Sequence, residues 1–239
     1  MLERDVYRMS LIPSETGSPS FSSPGMQDPA GKVFMYAKTG VAASAEVRFL
    51  EDNGFRLADT ALTFERPVRR GSRAKAAGVR RADPHDEQAV VDLARTCFTL
   101  DRFHSDPLIP KAMADRLKGE WVRNHFTGKR GAGMAVAEAG GEAAGFMLFL
   151  TAGDALVIDL VAVSPAHRGK GLSEAMALLG ESLFPASRIL RVGTQIGNSA
   201  AMHAYQKQGF TLARCEYVFH YHGPMPAFAA RPVHPKAAA

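Results

Sequence analysis

Three groups of residues have types and spacings that can do chemistry. The first is Arg168-Gly169-Lys170-Gly171, which follows an apolar run and Ser164-Pro165 and opens a stretch with Leu172, Ala175, Met176 and Leu179 at helical spacing. Glycines in a helix's first turn let backbone N–H groups approach an anion. The helix N-terminus adds partial positive charge, and Arg168 and Lys170 add full charges. This is the chemistry of a pyrophosphate cradle, although it is neither a GxGxxG fingerprint nor a GK[ST] phosphate loop. The competing reading is a tight, solvated helix start. The second group is Asn198 and Tyr205. Seven helical residues turn through about 700°, so the two share a face about 10 Å apart along the axis; the plainer reading is an N-cap and a core tyrosine. The third is Asp159, inside a strand pattern and on the face of Val157, Val161 and Val163 by period two. Burying a carboxylate there is costly unless it is paired or functional, and a structural role, such as capping a neighbouring loop, competes with a chemical one.

These groups need elements to hold them, and the pattern between about 77 and 221 supplies them. Strands are expected at 79–82, 134–138, 145–151, 155–163, 189–194 and 212–221, and helices at 84–97, 110–126, after Pro165 and at 198–208. The order β-α-α-β-β-β-α-β-α-β describes an α/β (α+β) domain with helices against a mixed sheet. Segment 10–29 is rich in Ser, Pro and Gly, and 223–239 in Pro and Ala; neither can form a packed core, so both are expected to be mobile. Between them, 67–76 reads as a basic linker. Arg69, Arg70, Arg73 and Lys75, with Arg80 and Arg81 beyond, read as a solvent-facing cluster.

A repeat runs through this layout. The stretch from Ser44 to Ala58, with Gly54, Phe55 and Leu57, aligns without gaps on that from Ser199 to Ala213, with Gly209, Phe210 and Leu212, at an offset of 155 residues. The same offset pairs Thr39 with Thr194 and Phe64 with Phe219. The early copy is expected to be a strand-helix-strand duplicate of the domain's end. It carries Ala43 and Leu50 at the positions of Asn198 and Tyr205, so it is expected to pack and do no chemistry. The expected organisation is a mobile segment 1–30, a degenerate half-copy 31–66, the linker 67–76, a catalytic domain 77–222 and a tail 223–239.

The run Arg168-Gly-Lys-Gly171-Leu-Ser173 resembles the acetyl-CoA signature [QR]xxGx[GA] of the GNAT superfamily of N-acetyltransferases, with Ser173 in place of the usual Gly or Ala. The resemblance implies the GNAT fold and acetyl-CoA as co-substrate. It also implies a pantetheine arm paired with the preceding strand, here the backbone of Leu160, Val161 and Val163, with Gly169, Leu172 and Ser173 completing the cradle. Asn198 would bind the pantetheine region, and Tyr205 would be the general acid that protonates the departing thiolate. A neutral amine attacks in such enzymes, so a group or a water chain must take its proton. Asp159 is the foremost candidate, and His104, His167 and His203 are weaker rivals. Segments 101–106, Trp121, Asn124 and the run from Thr194 to Gly209 are similar to the TDP-fucosamine acetyltransferase branch. That branch acetylates the 4-amino group of a dTDP-linked amino sugar. Ala204 replaces a basic residue beside the tyrosine, and the loop from Ser164 to Arg168 is complete; both leave the acceptor open. Arg102, Phe103, His104 and Trp121 are the candidate acceptor-binding residues, with a polar loop over core aromatics as the alternative.

Composition agrees with this picture and excludes others. The chain has 239 residues, a formal charge of +5 and two cysteines. Cys97 and Cys215 are far apart and lack metal-ligand spacing, which speaks for a reduced compartment and against a structural zinc. No secretory leader is visible at Met1, and the apolar region 144–163 is broken by Gly153, Asp154 and Asp159, so it reads as strands rather than a membrane span. The expectation is a cytoplasmic acetyl-CoA-dependent N-acetyltransferase, without metal, acting on a small-molecule amine such as a nucleotide-linked amino sugar. A homodimer is compatible with it; nucleic acid and membrane are not expected partners. Acetylation of a protein or peptide, and a non-catalytic acyl-CoA-binding regulatory module, are the alternatives.

Overall fold

The computed structural model describes residues 5–10, 20–22, 32–71, 78–224 and 226. Two compact units emerge, Leu62–Arg214 and a second formed by Met1–Ala61 with Cys215–Ala239. In chain order the elements are β1 (Asp5–Ser10), β2 (Ser20–Ser22), β3 (Lys32–Gly40), α1 (Ser44–Asp52), β4 (Arg56–Pro67), β5 (Val79–Arg81), α2 (Glu87–Cys97), α3 (Lys111–Phe126), β6 (Gly133–Ala139), β7 (Glu142–Ala152), β8 (Ala155–Val163), α4 (Leu172–Leu183), β9 (Ile189–Gln195), α5 (Ser199–Lys207) and β10 (Thr211–Pro224).

The larger unit has the strand order β4-β9-β8-β7-β6-β5. Its β5 to β8 ladders are antiparallel and its β8–β9 pair is parallel, so the sheet is mixed as expected. Alternation gives each strand two apolar faces. On one, Val90, Val91 and Ala94 of α2 and Val122 of α3 pack with Met134, Val136, Phe146, Leu148, Leu160 and Ala162. On the other, α4 comes so close that a Cβ on Gly180 would land on the Phe149 ring. The entry to α2 is a 3-10 turn, Pro84–Asp86, closed by a reciprocal capping box between Asp83 and Asp86. Arg80 grips Asp86 through two 2.8 Å bonds.

The smaller unit has the order β2-β1-β3-β10 and a core of Val33, Met35, Ala37, Leu50, Phe55 and Phe219. The repeat is structural. Shifted by 155 residues, α1 coincides with α5 at both ends, and β4 begins where β10 begins. Both helices end alike. Gly54 and Gly209 have φ of 82° and 81°, and the next amides, of Phe55 and Phe210, donate to Leu50 and Tyr205 carbonyls at 2.9 and 3.0 Å.

Three expectations change. Strands β1 and β2 lie within the segment expected to be mobile; the rest of that segment, and 227–239, lie outside the described residues. The helix after Pro165 starts only at Leu172, behind a short 3-10 turn Pro165–His167, because two left-handed glycines separate them. The two compact units divide within β4 and β10. The basic cluster is not simply solvent-facing: Arg69 and Arg80 are bound to carboxylates, although Arg70 and Arg81 are exposed. Arg73 and Lys75 lie outside the described residues.

Candidate active site

The site starts at an irregularity in β8. Opposite β7, Leu148 pairs with Leu160 but Phe149 pairs with Ile158, so Asp159 is the extra residue of a bulge. On the other edge, registered pairs with β9 run from Ala155↔Ile189 to Ile158↔Val192 and stop there. From Leu160 to Val163 β7 is therefore the one strand paired with β8 among the described residues. This is the geometry needed to accept an extended ligand arm against Leu160, Val161 and Val163.

The strand leads to the turn of Arg168 to Gly171. Gly169 and Gly171 both have φ of 76°, a left-handed conformation that L side chains rarely adopt, and a Cβ at either would meet nothing within 4 Å. The glycines thus serve backbone conformation and leave the space in front of the turn open. Gly171 is the N-cap of α4 and brings no side-chain cap, so the first-turn amides, including those of Leu172 and Ser173, face outward without that partner. Arg168 and Lys170 are exposed beside them, and Arg168 Nε donates to the Val163 carbonyl at 3.1 Å. The Ser173 hydroxyl accepts from Gln208 Nε2 at 3.1 Å, so the departure at this position has a local partner.

Asn198 caps α5, its side chain accepting from the Ala201 amide at 3.1 Å. Tyr205 is buried, with ring centroids 5.9 Å from Phe64 and 5.7 Å from Phe210. Burial pushes its phenol above the ordinary tyrosine value. A phenol held protonated can donate a proton across the whole neutral range.

Asp159 differs from the expectation. The bulge breaks strict alternation, so that Val157, opposite Leu150, and Val161, opposite Met147, no longer share a face, and the Asp159 side chain reaches Trp121 of α3. Its Oδ2 accepts from Arg130 Nε at 2.6 Å and Trp121 Nε1 at 3.1 Å, and its Oδ1 accepts from Arg130 Nη2 at 2.7 Å. With both oxygens occupied by a bidentate guanidinium and an indole, the geometry favours the structural reading of Asp159, a tie between β8 and the loop after α3.

The expected acceptor residues are largely spent on the same scaffold. The Arg130 guanidinium lies 4.6 Å from the Trp121 ring centroid, and the Lys118 ammonium lies 5.1 Å from it, so Trp121 links two cations and does not present a free face. Lys118 also contacts Phe98 and Phe103 at 5.1 and 5.4 Å. Burial holds its amine below the ordinary lysine value against the pull of Asp101, 3.5 Å away. His104 is walled in, with Nδ1 2.7 Å from Asp101 and Nε2 2.9 Å from Asp115. Phe103 is buried, with Arg102 over its ring at 4.5 Å. Of the four, Arg102 alone is a half-exposed charge. The other histidines are held locally, His167 by Ser164 Oγ at 2.8 Å and His203 by the Ser199 carbonyl at 2.9 Å.

Sequence reading missed Arg130, Lys118, Arg66 and the role of Arg69. Lys118 had a readable signal: it stands on the apolar stripe of α3 with Ala114 and Val122, where a cation needs a reason. Arg66 did too, two residues from Phe64 on the buried face of β4. Arg130 sits in a loop and had none.

A family model described as acetyltransferase (GNAT) family matches residues 88–210, just over half the chain. A spore coat polysaccharide biosynthesis protein, SpsD of Bacillus subtilis strain 168, is 33% identical over 140 residues, which is 58% of this chain and 48% of that protein. A dTDP-fucosamine acetyltransferase of Escherichia coli O6:H1 is 27% identical over 184 residues, 76% of this chain and 78% of the relative. Among solved structures, a GCN5-related N-acetyltransferase from Sphaerobacter thermophilus superimposes with a TM-score of 0.54 at 16% identity, covering 81% of this chain and 61% of the other. The match thus spans about half of SpsD and under two thirds of the Sphaerobacter chain.

Proposed function

The chain belongs to the acetyltransferase (GNAT) family, whose co-substrate is acetyl-CoA, and on that premise we propose that it acetylates the primary amine of a nucleotide-linked amino sugar. The observation that carries the reading is the parting of β8 from β9 after Ile158, directly before the open amide turn of Arg168 to Gly171. The amides after Gly171, with Arg168 and Lys170, would hold the diphosphate of acetyl-CoA, where a helix N-terminus and two cations favour it. The pantetheine arm follows the unpaired edge of Leu160, Val161 and Val163, and Asn198 lies along its course.

The reaction then needs an attacking lone pair and a proton for the leaving group. The amine nitrogen forms a bond to the thioester carbonyl carbon, the C–S bond breaks, and the sulfur takes the Tyr205 proton. The phenol is recharged from solvent, and the amine's surplus proton leaves through water. Asp159 is assigned to positioning: it anchors the loop carrying Arg130 and keeps the bulge in place. The amino-sugar acceptor is supported by the names of the two curated relatives, one in polysaccharide biosynthesis and one acting on dTDP-fucosamine. A cytoplasmic setting, where acetyl-CoA is available, completes the reading. No described helix is long and apolar enough to cross a membrane.

The test is thiol release from acetyl-CoA with a panel of amines that includes dTDP-amino sugars, for the parent and for Tyr205→Phe. We expect turnover with an amino sugar and a loss of about 100-fold or more in kcat for the variant, as for removal of a general acid. Equal turnover by both proteins refutes the acid. Binding of CoA without turnover of any amine would point to an acyl-CoA-sensing module, and turnover of peptides alone to a protein acetyltransferase.

A further inference from the structure

Tyr205 lies one turn before a helix end that is cross-linked to α4 by contacts the family signature does not contain. Arg69 stands two residues past the end of β4. Its Nη1 donates to Glu174 in the first turn of α4 at 2.6 Å, and its Nη2 donates to the Gln208 carbonyl at the end of α5. The packing is close enough that a Cβ on Gly209 would sit 3.3 Å from that Nη2. The Gln208 side chain returns the link by donating to Ser173 at 3.1 Å. One guanidinium and one amide thus join the turn that would hold the cofactor to the helix end one turn after Tyr205.

The same segment grips α4 a second time, two turns further on. Glu181 accepts from the Arg69 amide and from the buried Arg66, and Arg66 lies 4.9 Å over the Phe210 ring. Glu174 and Glu181, seven residues apart, face the same side of α4. Phe210 and Phe64 are the two rings against Tyr205. The phenol is therefore framed by residues tied to α4 through Arg66 and Arg69.

The internal repeat supplies a comparison within one chain. Asn53 occupies the position of Gln208, and its side chain turns back to donate to its own helix, to the Phe49 carbonyl at 2.8 Å. In the copy that carries Leu50 the shorter asparagine thus bonds within its own helix, whereas in the copy with Tyr205 the longer glutamine extends to another helix.

We propose that Arg69 and Gln208 form a clamp that fixes α5, and with it the Tyr205 phenol, relative to α4 and the turn that would hold acetyl-CoA. They are positioning residues for proton delivery to the leaving thiolate. The proposal rests on the acetyl-transfer reading and adds to it the device that aligns donor and acid, where a displacement of about 1 Å is enough to cost a large factor in rate.

The experiment is a cycle of Arg69→Ala and Tyr205→Phe on the full chain, with kcat and KM for acetyl-CoA measured for all four proteins. The clamp predicts that Arg69→Ala lowers kcat about tenfold or more in the parent, changes KM for acetyl-CoA less than about threefold, and costs less than about twofold in the Tyr205→Phe background, where no acid is left to align. Glu174→Gln, which breaks the same link from its exposed end, guards against misfolding of the arginine variant and should show the same pattern in weaker form. Equal losses in both backgrounds, or a loss confined to KM, overturn the clamp in favour of a structural or cofactor-binding role. If Tyr205→Phe retains parental turnover, the acid fails and the clamp with it. If Tyr205→Phe is slow while both link variants keep parental kcat, the clamp alone fails.

Discussion

Tyr205 and Leu50 occupy equivalent positions in the two copies of one strand-helix-strand, and both are buried. A hydrophobic side chain satisfies that position sterically, so the hydroxyl in the second copy is not needed for packing. Burial has a kinetic consequence. The phenol is held above its ordinary value of about 10, so as a general acid it stays loaded and kcat should show no alkaline fall up to about pH 10. A pH–rate profile checks this. A fall centred at or below about pH 9 that vanishes in Tyr205→Phe would show that the phenol is not buried as described. Asp159 shows the limit of reading single residues. Its place in an apolar strand marked it as unusual, but whether it is free or held depends on Arg130, 29 positions away, and on a bulge created by pairing with β7.

At the level of elements, α4 illustrates how packing overrides propensity. Alanine is a better helix former than glycine by about 1 kcal/mol, yet the Phe149 ring fills the space where a Gly180 side chain would project. Gly180→Ala should therefore destabilise the protein, by about 1–3 kcal/mol as for an overpacked core; denaturant unfolding would check it, and a gain in stability would mean that the ring can move aside. The element spans were largely legible: β8 coincides with its expected range, and α2, α3 and α5 agree to within a few residues at each end. Hydrophobic period carries that information locally. The short β1 and β2 were not legible, because six and three residues are too few to show a period and their pairing is to β3 for β1 and to β1 for β2.

At the scale of the whole molecule, the larger unit carries a charge network around Asp86. It makes stability depend on pH. The hydrogen bonds from Arg80 are the main cause that holds the Asp86 carboxyl below the usual carboxylate value. As pH falls, the unfolded chain takes up this proton first, so the contribution is complete above about pH 4 and is lost as pH drops through the lower folded value. Asp86→Asn should cost about 1–3 kcal/mol near neutrality, the range for hydrogen bonds to a charged group, and progressively less in acid. Chemical unfolding of both proteins at several pH values tests it; a difference independent of pH would assign the cost to shape rather than charge.

The sequence by itself determined the family, the glycine turn before α4, the helix bearing Tyr205 and the duplication. Each of these is written in short-range spacing: a glycine pattern, a helical period, or a constant offset. Tertiary structure decided which of the chemically capable side chains are free. It tied up Asp159, His104 and Trp121 in bonds to residues distant in sequence. It also made Arg69, which reads locally as one charge in a basic run, the link between two helices. A charged side chain's type says what it can bind, but its partner is chosen by which elements the fold brings within a few ångströms, and no local pattern encodes that.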